Sequence, residues 1–307
     1  MIEALCDAIF ELPPGFGVTY ALLVIKDGRM LVERYGSGAS PLYMQYSWSM
    51  AKSVTHALVG ILVKQGKLDI HAPAAVPEWQ EADDPRQVIT IDHLLQMRSG
   101  LEFNEDYVDG TVSDVIPMLM AQGRHDTAAF AATKPPIHAP GSEFSYSSGT
   151  TNIICRILRD AVGNGPTGML NFMRDELFEP LGMHSPTPRF DSAGTFIGSS
   201  FLFATPQDFA RFGYLYLRGG TWDGRAILPE GWVDHARTRT FKDDERSYGA
   251  HWWLSLVNPD WFYASGYDGQ RILLLPEKDA LIVRLGRTDA DHAQLVWDRV
   301  NALAGAL

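Results

Sequence analysis

At 307 residues, 46% of them hydrophobic, the chain is long enough to bury one large core or two connected lobes. A net charge of -11 and a pI near 5.2 argue against a nucleic-acid-binding role, which needs a basic surface, and give no attraction to anionic membranes. The two cysteines, Cys6 and Cys155, stand far apart and read as reduced structural thiols. No His-x-x-x-His or Cys-x-x-Cys pattern occurs, so neither a metal nor another cofactor is expected.

Residues 1–12 read as a short amphipathic helix. Acids interrupt it and no basic segment precedes an apolar core, so it is not a signal peptide, and a cytoplasmic protein is the default expectation. No apolar run reaches membrane-spanning length. Residues 18–35 form two strand-like runs about Asp27-Gly28, a hairpin signal.

The next helix opens with Ser49-Met50-Ala51-Lys52 and stops near Gly66, a C′ glycine. Spacing i, i+3 puts Ser49 and Lys52 on one face, one turn apart. A hydroxyl is a poor nucleophile until its proton is removed, and a neutral amine can remove it. Lys52 lies among Val54, Ala57, Leu58 and Ile61, and burial there would disfavour its charged form. Ser49 in the first turn sits among unpaired backbone N–H groups at the positive end of the helix, which favours an anionic intermediate. No other lysine has a serine three residues before it. The bland alternative is a surface serine starting a helix, with the Lys52 head reaching solvent.

Residues 76–204 alternate loops and helices and read as a mostly helical lobe. Within it, Glu143-Phe-Ser-Tyr-Ser-Ser-Gly149 precedes an apolar helix from Thr151 and places Tyr146 and Ser148 in a turn. Gly163-x-Gly-x-x-Gly168 matches a nucleotide fingerprint by letters, but Pro166 intrudes and no strand precedes it, so it reads as a loop. A helix is expected from Pro206 to Gly219. Strands follow at residues 248–256, 261–264, 270–276 and 280–285, and a closing helix at about 290–304. Strands at both chain ends and a helical middle imply an α/β (α+β) protein. One antiparallel sheet flanked by helices would be built from residues 1–75 and 205–307, with 76–204 inserted and the site in the cleft between.

No Gly-x-Ser-x-Gly elbow supports a Ser-His-Asp triad. His56, one turn beyond Lys52, and His93 read as packed histidines. Ser113-Asp114 begins a Ser-Asp-Asn element that Val115 spoils. Trp48, Trp252, Trp253, Trp261, Phe262 and Tyr263 are candidates for an apolar acyl pocket, some of them plain core.

The Ser49-x-x-Lys52 and Tyr146-x-Ser148 elements resemble the serine β-lactamase-like hydrolases of the penicillin-binding fold: class C β-lactamases, DD-peptidases, family VIII esterases and 6-aminohexanoate-dimer hydrolases. The resemblance extends over Ile89–Leu101, Leu177–Met183 and Phe203–Gly213. Tyr146-x-Ser148 and Leu101-Glu-Phe-Asn-Glu-Asp-Tyr107 bring it nearest the 6-aminohexanoate-dimer hydrolase branch. It implies Ser49 as nucleophile, Lys52 as base and Tyr146 as proton relay to the leaving group and from water. It further implies an oxyanion hole from the N–H groups of Ser49 and Tyr267, with Ser148, Tyr107, Ser265 and Gly266 contacting substrate. The third family element is incomplete: Ala264-Ser265-Gly266 has alanine where a lysine or histidine is usual, which argues against recognition of a substrate carboxylate unless Arg271 or Arg287 reaches in from a neighbouring strand.

The expected substrate is a small ester or amide, acted on by a monomer or homodimer. An acyltransferase, a β-lactamase or DD-peptidase, and a non-catalytic ligand-binding relative remain open at this point.

Overall fold

The computed structural model describes residues 1–106 and 113–307. Asp27 and Gly28 both lie at positive φ, 49° and 73°, as a tight two-residue hairpin turn requires. They join β1 (Val18–Lys26) to β2 (Arg29–Tyr35). From the C-terminal part come β3 (Phe241–Lys242), β4 (Ser247–Tyr248), β5 (Trp253–Leu254), β6 (Phe262–Gly266), β7 (Gln270–Leu275) and β8 (Ala280–Arg287). Together they make one antiparallel sheet in the order β2-β1-β8-β7-β6-β5-β4-β3. The two chain ends meet at its heart, where Val18 pairs with Arg287 and Lys26 with Ala280.

Alternation along the central strands feeds two cores. Leu22, Val24, Leu273, Leu275 and Ile282 pack against the N-terminal helix α1 (Ile2–Phe10) and the C-terminal helix, Ala293–Ala306. On the other face Leu23, Ile272, Leu274, Leu281 and Val283 share a core with the helices α2 (Met50–Lys64) and α3 (Ser148–Val162) and with Pro206–Leu217. Helix α2 is buried from Met50 to Leu62, as expected for an element apolar on nearly every side. It ends at Gly66, φ 68°, where Gly66 N–H bonds the Val63 carbonyl and Lys67 N–H that of Leu62, a Schellman cap.

Three local expectations need correction. The strand read at 248–256 is broken: β4 and β5 flank residues 249–252, where His251 takes φ 55° and its ring is held by the Leu95 carbonyl (2.8 Å) and Thr151 Oγ1 (3.0 Å). The glycine-rich segment read as a loop caps α3 at Gly163 and then forms a helix, Gly165–Met173. Pro166 is tolerated there because the first helical positions need no N–H partner. Ser148 is not in a turn but opens α3, capped by Ser147 Oγ accepting from Thr150 N–H (3.0 Å). Among the described residues, no helix is long and apolar enough to cross a membrane.

Candidate active site

The chain reaches Ser49 through a strained residue. Tyr46 pairs with Phe203 in a small sheet, and Ser47 exchanges two hydrogen bonds with Leu202: its N–H donates to the carbonyl (2.8 Å) and its Oγ accepts the N–H (3.1 Å). Trp48 then turns at φ 43°, a left-handed conformation that costs a bulky residue on the order of 1–3 kcal/mol. Rings of Tyr46, Tyr267 and Phe201 hold it at centroid distances of 5.2, 5.8 and 6.1 Å. This reversal sets Ser49 at the N-cap of α2. Its hydroxyl makes no cap hydrogen bond; Oγ lies 3.0 Å from Lys52 Nζ instead.

Lys52 is 1% exposed, so its head does not reach solvent. Nζ also contacts Ser148 Oγ (2.9 Å) and the Ser199 carbonyl (3.0 Å). Burial pulls its proton affinity down to about 8, opposed by Glu105 and then by Cys155. An amine in this range exchanges its proton close to neutral pH.

Tyr146 offers its ring face to that amine, with Nζ 4.8 Å from the ring centroid, and packs on Trp253 (5.2 Å). Ser148 donates its Oγ–H to Glu105 Oε1 (2.8 Å), and its backbone N–H bonds Glu105 Oε2. Ser49, Lys52, Tyr146 and Ser148, separated by nearly a hundred residues, thus converge on one point.

A cavity of about 220 Å³ opens beside Ser49. Trp48, Val115, Ile116, Leu119, Met120 and Tyr267 form its apolar wall, and Ser49, Ser148 and Ser200 its polar edge. Among the described residues, no charged side chain lines it. A second, polar cavity of about 300 Å³ lies beside Tyr146, with Asn104, Glu105, Asp106 and Arg246 on its wall. The third element approaches from β6. A Cβ at Gly266 would stand 2.3 Å from the Ser47 carbonyl, so only glycine lets this strand end reach the residues before Ser49. That approach brings Tyr267 to Ser49; Ser265 and Gly266 themselves do not line the cavity. Ala264 is 1% exposed and packs in the α2 core. Of the six aromatic candidates, Trp48 lines the first cavity and Trp253 the second, whereas Trp252, Trp261 and Phe262 are core. Tyr107 lies outside the described residues.

The family model described as Beta-lactamase matches residues 17–306. The chain belongs to the beta-lactamase family. A 6-aminohexanoate-dimer hydrolase of Paenarthrobacter ureafaciens is 27% identical to it over 87% of the chain and 72% of that protein. Among solved structures, a penicillin-binding protein homologue from Pyrococcus abyssi superposes with a TM-score of 0.75 at 17% identity, over 99% of the chain and 77% of that protein. A family VIII carboxylesterase does so with a TM-score of 0.72 at 16% identity, over 98% and 97%. The fold is therefore that of the beta-lactamase family, with its antiparallel sheet and flanking helices, and the family is hydrolytic.

Within this beta-lactamase-family chain, motif reading missed Glu105, the Ser199 carbonyl and the wall helix Val115–Met120. Glu105 stands inside the segment 101–107 that carried the resemblance, but no spacing links it to Ser148. A backbone carbonyl leaves no residue-type signal at all.

Proposed function

We propose that this protein is a serine hydrolase that cleaves an ester or amide through a Ser49 acyl-enzyme and accepts an uncharged, apolar acyl group. The observation that carries the reading is the 3.0 Å contact between Ser49 Oγ and a buried amine with proton affinity lowered to about 8. Neutral Lys52 takes the Ser49 proton as Oγ attacks the carbonyl carbon. The backbone N–H groups of Ser49 and Tyr267 receive the oxyanion at the positive end of α2. Protonated Lys52, with the Tyr146 hydroxyl, passes the proton to the leaving alcohol or amine. Water then gives a proton back along the same route and hydrolyses the acyl-enzyme.

The apolar wall of the cavity at Ser49 supports the choice of acyl group, and the polar cavity beside Tyr146 supports water as acceptor rather than a second alcohol or amine. The test is labelling with a serine-directed fluorophosphonate, followed by a screen of p-nitrophenyl esters and linear amides. One label should add to the parent protein and none to Ser49→Ala. Labelling that persists in Ser49→Ala would falsify the assignment.

A further inference from the structure

A neutral amine has two N–H donors and one lone pair, and which partner receives the lone pair decides whether Lys52 can act as a base. The Ser199 carbonyl, 3.0 Å from Nζ, can only accept and so takes one N–H. Ser148 Oγ, 2.9 Å away, has two possible polarities because a hydroxyl both donates and accepts. Glu105 removes the choice. A carboxylate has no proton to give, so Ser148 must donate to Oε1 at 2.8 Å and turn an oxygen lone pair toward Lys52, which takes the second N–H. The lone pair of Lys52 is then left for Ser49. Because Ser148 N–H holds the other carboxylate oxygen, the Glu105 carboxylate cannot rotate without losing two charge-assisted bonds.

We propose that Glu105 is a positioning residue: through Ser148 it sets the direction of the hydrogen bonds around Lys52 and aims the amine lone pair at the Ser49 proton. This rests on the reading of Ser49 and Lys52 as nucleophile and base. Without the carboxylate, Ser148 can donate to Lys52, occupy the lone pair and turn an N–H toward Ser49, the wrong polarity for proton abstraction. Glu105 also faces Lys52 as an anion and supports its protonated form. Tyr146 and His251 also lie near Lys52, and Tyr248, Asp106 and Arg246 lie near Glu105.

The experiment is a cycle of Glu105→Gln, Ser148→Ala and the double variant, assayed with p-nitrophenyl butyrate across pH. Glutamine keeps an oxygen for Ser148 N–H but places an amide donor at Ser148 Oγ. Expected are a fall in kcat of roughly 30- to 100-fold, little change in KM, and an acid limb moved to lower pH. In the Ser148→Ala background the same substitution should cost less than about threefold, because the residue through which it acts is gone. If Glu105→Gln does not fold, Glu105→Asp is run in the same two backgrounds. Equal losses in both backgrounds, or a kcat for Glu105→Gln within about threefold of the parent, overturn the proposal. Fluorophosphonate labelling separates the two readings: a parent protein unlabelled at Ser49 sinks the hydrolase assignment. A parent labelled there with an additive cycle sinks only the role of Glu105.

Discussion

The guanidinium carbon of Arg271 lies 3.3 Å from the centroid of a Trp297 ring and 4.1 Å from that of Tyr263, sandwiched between them. Trp297 belongs to the C-terminal helix, which packs on the face of the sheet opposite α2, so this arginine does not replace the cation missing at Ala264. Arg287 is exposed at the end of β8.

The first consequence concerns substrates with a carboxylate beside the scissile bond. Loss of one charge-assisted hydrogen bond corresponds to roughly 1.5–3 kcal/mol, or one to two powers of ten in specificity. The ratio of kcat/KM for p-nitrophenyl butyrate to that for a chromogenic cephalosporin should exceed about ten. A cephalosporin turned over as well as the ester would show that some other group supplies the charge.

Lys52→Arg should fold and be almost inactive, since a guanidinium stays protonated at any working pH and cannot accept the Ser49 proton. On the proposed mechanism the active form is the neutral amine, which predominates above about pH 8 and is titrated away below it. kcat/KM should therefore drop about tenfold per pH unit on the acid side. Turnover near the parent level in Lys52→Arg would mean that charge, not proton transfer, is what the site uses.

The buried amine also has a stability signature. A proton affinity lowered from 10.5 to about 8 corresponds to about 3 kcal/mol against the charged folded state. Below pH 8 both folded and unfolded chains carry that proton and the penalty is present in full. Between about 8 and 10.5 the unfolded chain binds more protons, so parent stability rises with pH. Lys52→Met should abolish activity yet raise the thermal midpoint at pH 7, less the cost of depriving the Ser199 carbonyl and the Ser148 oxygen of their Lys52 N–H. That advantage should shrink from pH 8 toward 10.5. Thermal melts of both proteins at pH 7 and pH 10 test it, and an advantage that grows with pH would contradict the burial penalty.

Gly266→Ala tests the seam between β6 and the turn that leads to Ser49. The added methyl would stand 2.3 Å from the Ser47 carbonyl and 3.1 Å from the Cβ of Trp48, so the strand end must back away from Ser49. Overpacking of this kind costs typically 1–3 kcal/mol, and a displaced oxyanion donor costs about 100-fold or more in kcat. A variant with parent kcat and an unchanged melting temperature would show that the seam does not position Tyr267.

Much of the molecule was legible from residue pattern because the signals are local. Positive-φ residues at Asp27-Gly28, the i, i+3 spacing of Ser49 and Lys52, the Gly66 cap and the apolar runs of β7 and β8 each depend on a few neighbours along the chain. What only the tertiary structure decided is which way groups face once distant segments meet. Sheet pairing turned Arg271 away from α2 and buried Ala264 against it. Meeting of segments 101–106, 148–152 and 198–200 around one amine created the Glu105–Ser148–Lys52 chain and brought in the Ser199 carbonyl. Hydrogen-bond polarity and proton affinity belong to that meeting, since desolvation and partner geometry exist only in the folded chain and not in any spacing of letters.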